Sequence, residues 1–344
     1  MYSCGMTLRM KDIANELGVS VVTISKVLRN HPDISAETRE RVLKHVKARN
    51  YQPNILARSL VTGRSFLIGL VVPDLLHPFF AEVAKSLSTA IRPQGYSLLI
   101  SSSEEDPALE EQEIRQLLAR RIDAIVVASA AATDESLDAL RKGKQKFLLI
   151  DRNFNNPSDT FVGVDDFEAG RLATEHLIKM GCKRIAHITG TETSTGASRL
   201  RGYREALARH GLTYRSNYVI HCDKVDTSSA EQGVTATKKL LDLKNRPDGI
   251  FCYNDPLAIG SMRAILAAGF HLPQDIALIG CGNLHYVDSL VVPLSSIDQQ
   301  TSDIGKAAGK IVMELIESKT ARPGKSMILK PTLVVRASSN RKAT

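Results

Sequence analysis

From Phe66 onward, short runs of Val, Ile and Leu alternate with stretches of helical period, and this alternation restricts the fold more than any other feature of the chain. The apolar runs are FLIGLVV (66–72), SLLIS (97–101), DAIVVAS (123–129), KFLLI (146–150), FVGV (161–164), RIAHIT (184–189), YVI (218–220), GIFCY (249–253) and IALIG (276–280). Amphipathic segments at 79–92, 110–121, 167–180, 199–209, 230–243 and 257–268 separate most of them. A strand that is apolar on both faces must be covered on both faces, and parallel strands joined by crossover helices supply that cover. Roughly 270 residues of this pattern exceed what one sheet usually takes, which predicts two α/β lobes.

Ahead of the alternation, residues 1–52 read as three short helices. The first spans 10–17, with Ile13, Ala14 and Leu17 at helical spacing. Gly18-Val19-Ser20 breaks it, the glycine making the turn and Ser20 serving as N-cap of a second helix. After the loop RNHPD, a third helix follows Ser35 as N-cap, with Thr38, Val42 and Val46 on one face. Two helices joined by a tight glycine-containing turn form a helix-turn-helix. At about 100° per residue, Thr23, Ile24, Val27 and Leu28 share one face of the second helix. Val21, Val22, Ser25, Lys26 and Arg29 share the other. A surface helix needs only one apolar face, so the two valines beside the basic residues require a separate reason. Residues 53–64 form either a short hinge helix or a plain linker, bounded by Pro53 and Gly63.

The net charge is +8, and its distribution matters more than its size. Through Arg64 there are 11 Lys and Arg against 5 Asp and Glu, so the remaining 280 residues carry only +2. A small basic module on a near-neutral body is the footprint of a nucleic-acid binder, although charge alone also fits a solvated basic face. Five scattered cysteines, none in a C-x-x-C pair, predict free thiols in a reducing cytoplasm and no zinc site. No run of 18 apolar residues or basic-then-apolar leader predicts a membrane span or secretion. The hydrolase elbow G-x-S-x-G, H-E-x-x-H, the phosphate-binding loop and G-x-G-x-x-G after a strand are all missing. No reaction, cofactor or metal is therefore expected. In open α/β sheets, ligands bind beyond the carboxyl ends of the strands. The polar residues there are Asp74, Asp151-Arg152, Asp165-Asp166, Asn254-Asp255, Asn283 and Asp298-Gln299, with Phe79 or Phe80 offering a ring face. Singly each reads as a turn or cap residue; together they suit a hydroxylated small molecule.

The segments MKDIANELGVSVVTISKVLRN, YQPNILARSL, IGLVVPDLLHPFF, VGVDDFEAGRLATEHLIKMGCKRIAHITG, RLRGYREAL, NDPLAIGSMRA and VPLSSIDQ, in this order, resemble the lactose-repressor (LacI/GalR) family of bacterial transcription regulators. The resemblance implies a helix-turn-helix DNA-binding domain (1–52), a hinge helix (53–64) and a two-lobed α/β core of the periplasmic-binding-protein-like type. Its lobe 1 would take about 65–161 and 293–322, and its lobe 2 about 162–292 and 323–340. It further implies a cytoplasmic homodimer on a near-palindromic operator, a repressor controlled by a sugar or sugar-derived effector, with no membrane partner.

The same resemblance implies roles for individual residues. Val21, Val22, Lys26 and Arg29 would face the major groove; Arg9, Ser20, Thr23, Ser25, Ser35, Thr38, Tyr51 and Asn54 would meet the DNA backbone. Leu56, Ala57 and Leu60 would serve the hinge and minor groove, with Leu60 as the unstacking wedge; helical pattern alone equally allows Leu60 to pack on the core. The effector would meet Asp74, His77, Phe79, Arg152, Arg199, Asn254, Asp255, Asn283 and Gln299. Three positions depart from the family pattern. Arg9 stands where a Thr or Ser caps the first helix, and His77 where Asn is frequent. Gly282, in Gly280-Cys281-Gly282, stands in place of the aspartate that grips sugar hydroxyls, which predicts an unusual ligand or a weakened site. The alternative of a solute-binding protein for sugar uptake shares the core fold but requires export.

Overall fold

The chain divides into two units, Met1–Ser65 and Phe66–Thr344. The structure is a computed structural model and describes residues 8–28, 31–51, 59, 62–154, 156–190, 192–318 and 324–342.

In the first unit, α1 (Met10–Leu17), α2 (Val21–Leu28) and α3 (Ala36–Ala48) enclose a small core. Ile13, Ala14, Ile24, Val27 and Val42 are buried in it, the positions that helical spacing singles out. Gly18 lies at φ 63°, and the next amide, Val19 N, donates back to Ala14 O at 3.0 Å, which ends α1. Ser20 Oγ then accepts Thr23 N at 3.0 Å to start α2, and Ser35 Oγ accepts Thr38 N at 3.3 Å to start α3. Glu16 ties α1 to the end of α3 through Arg49 at 2.7 Å and His45 at 2.5 Å.

The second unit holds two six-stranded sheets. The first contains β1 (Leu67–Val72), β2 (Ser97–Ser102), β3 (Ala124–Val127), β4 (Phe147–Ile150), β5 (Phe161–Val164) and β11 (Ser326–Leu329). Its order is β11-β5-β4-β3-β1-β2, and every pair is parallel. The second contains β6 (Ile185–Thr189), β7 (Val219–His221), β8 (Gly249–Cys252), β9 (Ala277–Cys281), β10 (Ser295–Asp298) and β12 (Thr332–Val334). Its order is β12-β10-β9-β8-β6-β7, with only β12 antiparallel. The helices are α4 (Pro78–Ile91), α5 (Pro107–Ala119), α6 (Asp138–Lys142), α7 (Asp166–Lys179), α8 (Ser194–Arg209), α9 (Ser229–Leu241), α10 (Asp255–Ala267) and α11 (Thr301–Glu317). α11 packs on α4, β3, β4 and β5, so it belongs to lobe 1.

The chain passes between the lobes after β5, after β10 and between β11 and β12. Each expected lobe boundary therefore falls too early. Residues 162–164 remain in lobe 1, because β5 pairs with β11 along its length. Residues 295–298 pair with β9 in lobe 2, and 326–329 return to lobe 1. A strand leaves its sheet only after its last ladder bonds, since buried backbone groups must stay paired. Sequence reasoning also missed β10, β11, β12 and α11, and started α8 at 199 instead of Ser194. In β10, two of four residues are serines, yet both are fully buried. Ser295 Oγ donates to Arg336 O at 3.0 Å, and Ser296 Oγ to Asp255 at 2.6 Å, so hydrogen bonds stand in for the apolar run that marks a buried strand.

α7 and α8 cross with their backbones almost touching. A Cβ on Gly202 would lie 2.0 Å from Phe167 O, and one on Gly170 would lie 2.1 Å from Arg199 O. The crossing fixes where Arg199 enters lobe 2. Gly202→Ala should destabilise the core by about 1–3 kcal/mol, the usual cost of overpacking, as a lowered urea midpoint followed by circular dichroism.

Candidate DNA-binding face and effector cleft

On α2, the residues that do not serve the core are set out on one exposed face. Val21 is 42% exposed and Val22 62%, while Ile24 and Val27 on the opposite face are buried. Lys26 shares the exposed side, and its ammonium bonds the Asp33 carboxylate. His31 Nδ1 approaches the same carboxylate at 2.5 Å. The hydrogen bond from Lys26, joined by that from His31, holds Asp33 below the usual carboxylate range. A base contact by Lys26 therefore has to exchange for this pairing.

The expected DNA-backbone residues fall into distinct groups. Ser20 and Thr23 hydroxyls bond each other at 2.9 Å, as do those of Ser35 and Thr38, so these four side chains build the N-termini of α2 and α3. Ser25 is half-buried beside them. Arg9 is exposed, and its amide donates to Asp12 Oδ2 at 2.8 Å, so Asp12 supplies the cap bond that the Arg9 side chain does not. Tyr51 is 8% exposed and packs in the helical core, which fixes the direction of its ring. Arg29, Asn54, Leu56, Ala57 and Leu60 lie outside the described residues.

In the second unit, the carboxyl ends of the strands of both lobes meet. Arg152, two residues past β4, donates to Ser129 O at 3.2 Å and pairs with Asp226 of lobe 2. Asn153 N donates to Ser194 Oγ at 3.0 Å, and His77 Nε2 lies 3.4 Å from Asn254 Nδ2. His77 caps α4: its Nδ1 accepts Phe79 N at 3.3 Å, the task of an N-cap asparagine. Burial lowers its pKa, which keeps the imidazole neutral and able to accept. Arg199 is anchored in lobe 2 by Asp166, at 2.8 Å from Nε and 2.7 Å from Nη2, and by Tyr253 O at 2.6 Å. Its guanidinium also stacks 4.5 Å from the Tyr253 ring centroid. Tyr253 Oη in turn meets Thr195 Oγ1 at 2.8 Å.

Arg152, Arg199, His77 and Asn254 thus come together at the facing ends of the lobes, whereas other predicted contacts serve structure. Asp255 is fully buried, accepting Ser296 Oγ at 2.6 Å and Leu284 N at 2.9 Å, so it braces the 280–284 loop against β10. Asn283 is held by Asp298 at 3.0 Å and by Arg336 at 2.8 Å. Phe79 packs in the lobe 1 core, edge-on to Phe80 with centroids 5.1 Å apart. Asp74 accepts Leu76 N at 2.9 Å in its own loop, and Gln299 is buried. Gly282 occupies φ 133°, a region closed to side-chain-bearing residues, and a Cβ there would sit 3.2 Å from Asp255 Oδ2. An aspartate at 282 would therefore be strained in this backbone, so Gly282→Asp does not simply supply a carboxylate to the cleft. Sequence reasoning did not nominate Asp226. Its signal was present: the polar stretch HCDKVDTSS follows the recognised strand β7, at the same sheet edge as the residues that were chosen.

Charge in this cleft is set by burial. Burial pulls the Arg152 guanidinium down, but the Asp226 carboxylate, together with Tyr253 and Asp151, outweighs it and raises its pKa. Burial pushes Asp151 up to about 6, against the opposing pull of Arg152, whose Nε is 3.5 Å away. The folded pKa exceeds the unfolded one, so Asp151 contributes fully below pH 3.8 and its contribution is lost as pH rises through about 6. Asp151→Asn should therefore stabilise the core at pH 8 by up to about 3 kcal/mol, with the gain vanishing near pH 4 in urea titrations.

Comparison with known proteins follows the same division. Residues 9–54 match the family model of bacterial regulatory proteins of the lacI family, and 65–334 match that of periplasmic binding proteins and the sugar binding domain of the LacI family. The chain is 31% identical over 331 residues to the HTH-type transcriptional repressor PurR of Mannheimia succiniciproducens, covering 96% of this chain and 98% of that one. The transcriptional regulator CelR–cellobiose complex is similar with a TM-score of 0.73 and 25% identity, covering 96% of this chain and 100% of CelR. A Lac repressor dimer bound to operator and the anti-inducer ONPF shares the fold, with a TM-score of 0.84 at 24% identity over 97% of this chain and 99% of that one. A solute-binding protein is disfavoured, since the DNA-binding module is part of the match. The chain belongs to the LacI family of bacterial regulatory proteins.

Proposed function

We propose that the protein is a cytoplasmic homodimeric repressor that reads a near-palindromic operator through α2 and responds to a small hydroxylated effector in the interlobe cleft. The observation that carries this reading is the exposure of Val21 and Val22 beside Lys26 on a helix whose other face is buried. A valine cannot hydrogen-bond a base, but it packs on the thymine C5-methyl in the major groove. Lys26, one turn on, reaches guanine O6 and N7 as a flexible donor once it leaves Asp33. Ser20, Thr23, Ser25, Ser35, Thr38 and Arg9 set the register on phosphates, which carry no sequence information. Arg29 extends the reading face, and Asn54, Leu56, Ala57 and Leu60 serve the hinge, with Leu60 wedging the minor groove.

In the cleft, Arg152, Arg199, His77 and Asn254 hold the effector from both lobes. CelR, with cellobiose bound, supports a sugar or sugar derivative as the class. The effector acts by differential affinity for two arrangements of the lobes, and only that difference reaches the operator.

Operator selected from random DNA should be retained with a steep negative salt slope. Replacing its contacted thymines by uracil should weaken binding by about fourfold per methyl lost, the equivalent of about 0.8 kcal/mol of buried methyl. Val21→Gln or Val22→Gln should change preference at those positions while leaving the helical core intact. Unchanged affinity on uracil DNA would sink the methyl-contact account.

A further inference from the structure

The connection between β7 and α9 (222–228) belongs to lobe 2, yet its middle is gripped by lobe 1 from two sides. On one side, the Glu105 carboxylate accepts Val225 N at 3.0 Å, Thr227 N at 2.9 Å and Thr227 Oγ1 at 2.8 Å. On the other, Arg152 pairs with Asp226, both side chains being 4% exposed. Each end of the grip is rooted in its own lobe. Glu105 N donates to Pro73 O at 3.2 Å, and the adjacent Asp106 caps α5 through Ala108 N at 2.8 Å. Asn254 Nδ2 donates to Val225 O at 2.6 Å, and Ser229 Oγ donates to the same carbonyl. Glu104 and Glu105 lie at φ 51° and 55°, an unfavourable region for glutamate that the fold tolerates while aiming this carboxylate across the cleft.

A buried ion pair such as Arg152–Asp226 roughly balances attraction against desolvation and does not by itself close two lobes. Glu105 adds three charge-assisted hydrogen bonds to backbone and hydroxyl donors, with far less desolvation to offset, and these tip the balance.

We propose that residues 225–227 form a latch that ties the two lobes together, Asp226 occupying the Arg152 guanidinium that an effector would otherwise engage. The inference rests on the cleft being the effector site. Effector binding at Arg152 is then a competition with a tethered carboxylate.

Spin labels on Arg120→Cys and Arg209→Cys, both exposed, next to the end of α5 and at the end of α8, report the interlobe distance in the full-length protein. The labelled protein carries Cys4→Ser as background, and the other native thiols, Cys182, Cys222, Cys252 and Cys281, are buried and should not take label. In dimers diluted with excess unlabelled chain and without ligand, the native latch should give one narrow interlobe distance. Glu105→Gln combined with Asp226→Asn should shift it to longer, broader values. Thr227→Val, which removes one hydroxyl bond and keeps the side-chain volume, should give a smaller shift in the same direction. Amide exchange at Val225 and Thr227 should quicken at least about tenfold in Glu105→Gln, as expected for loss of a protecting acceptor. A broad distribution in the native protein, or an unchanged one in the double variant, overturns the latch. Operator retention on the same samples tests the DNA-binding reading separately, since the latch stands or falls on the distances.

Discussion

Parallel pairing governs this core. Because the strands of each sheet run the same way, apart from β12, their carboxyl ends gather along one edge, where loops are free to carry polar side chains. Each sheet is completed by a strand from the far end of the chain, β11 in the first and β12 in the second. The lobes are consequently joined by separate passages of chain, which hold the two polar edges opposite one another. Everything in the cleft, from the Arg152–Asp226 pair to the His77–Asn254 contact, depends on that opposition.

Burial then decides what the polar residues do. A charge taken out of water needs partners, and the partners available fix its role. Arg199 is committed to Asp166 and Tyr253, which turns a flexible side chain into a fixed donor platform. Asp255 finds its partners behind the cleft, in Ser296 and Leu284, and becomes a brace. The two are both strand-end or motif residues in the sequence; only the position of their partners separates them. Gly282 shows the reverse relation, where a residue without a side chain takes a backbone conformation that a side chain could not follow.

Much of the architecture was legible because it rests on local pattern. The caps at Ser20 and Ser35, the buried face of α2 and strands β1 to β9 follow from spacing, turn chemistry and continuous apolar runs. β10 escaped because its buried serines are satisfied by groups distant in sequence, such as Arg336, which no local window contains. Asp226 escaped for a related reason: its importance comes from Arg152 in the other lobe, 74 residues away.

The sequence by itself determined the two textures of the chain, a small basic helical module and a long α/β body, together with the two valines that no helical core requires. Those properties depend on periodicity and composition, which act over a few residues. Tertiary structure alone decided where the chain changes lobes, which of the strand-end residues face the cleft and which brace it, and that Glu105 and Arg152 clasp one loop between them. These depend on contacts between segments far apart in the chain, where the energetic outcome for a polar group is set by the partner it meets after folding and not by its neighbours in sequence.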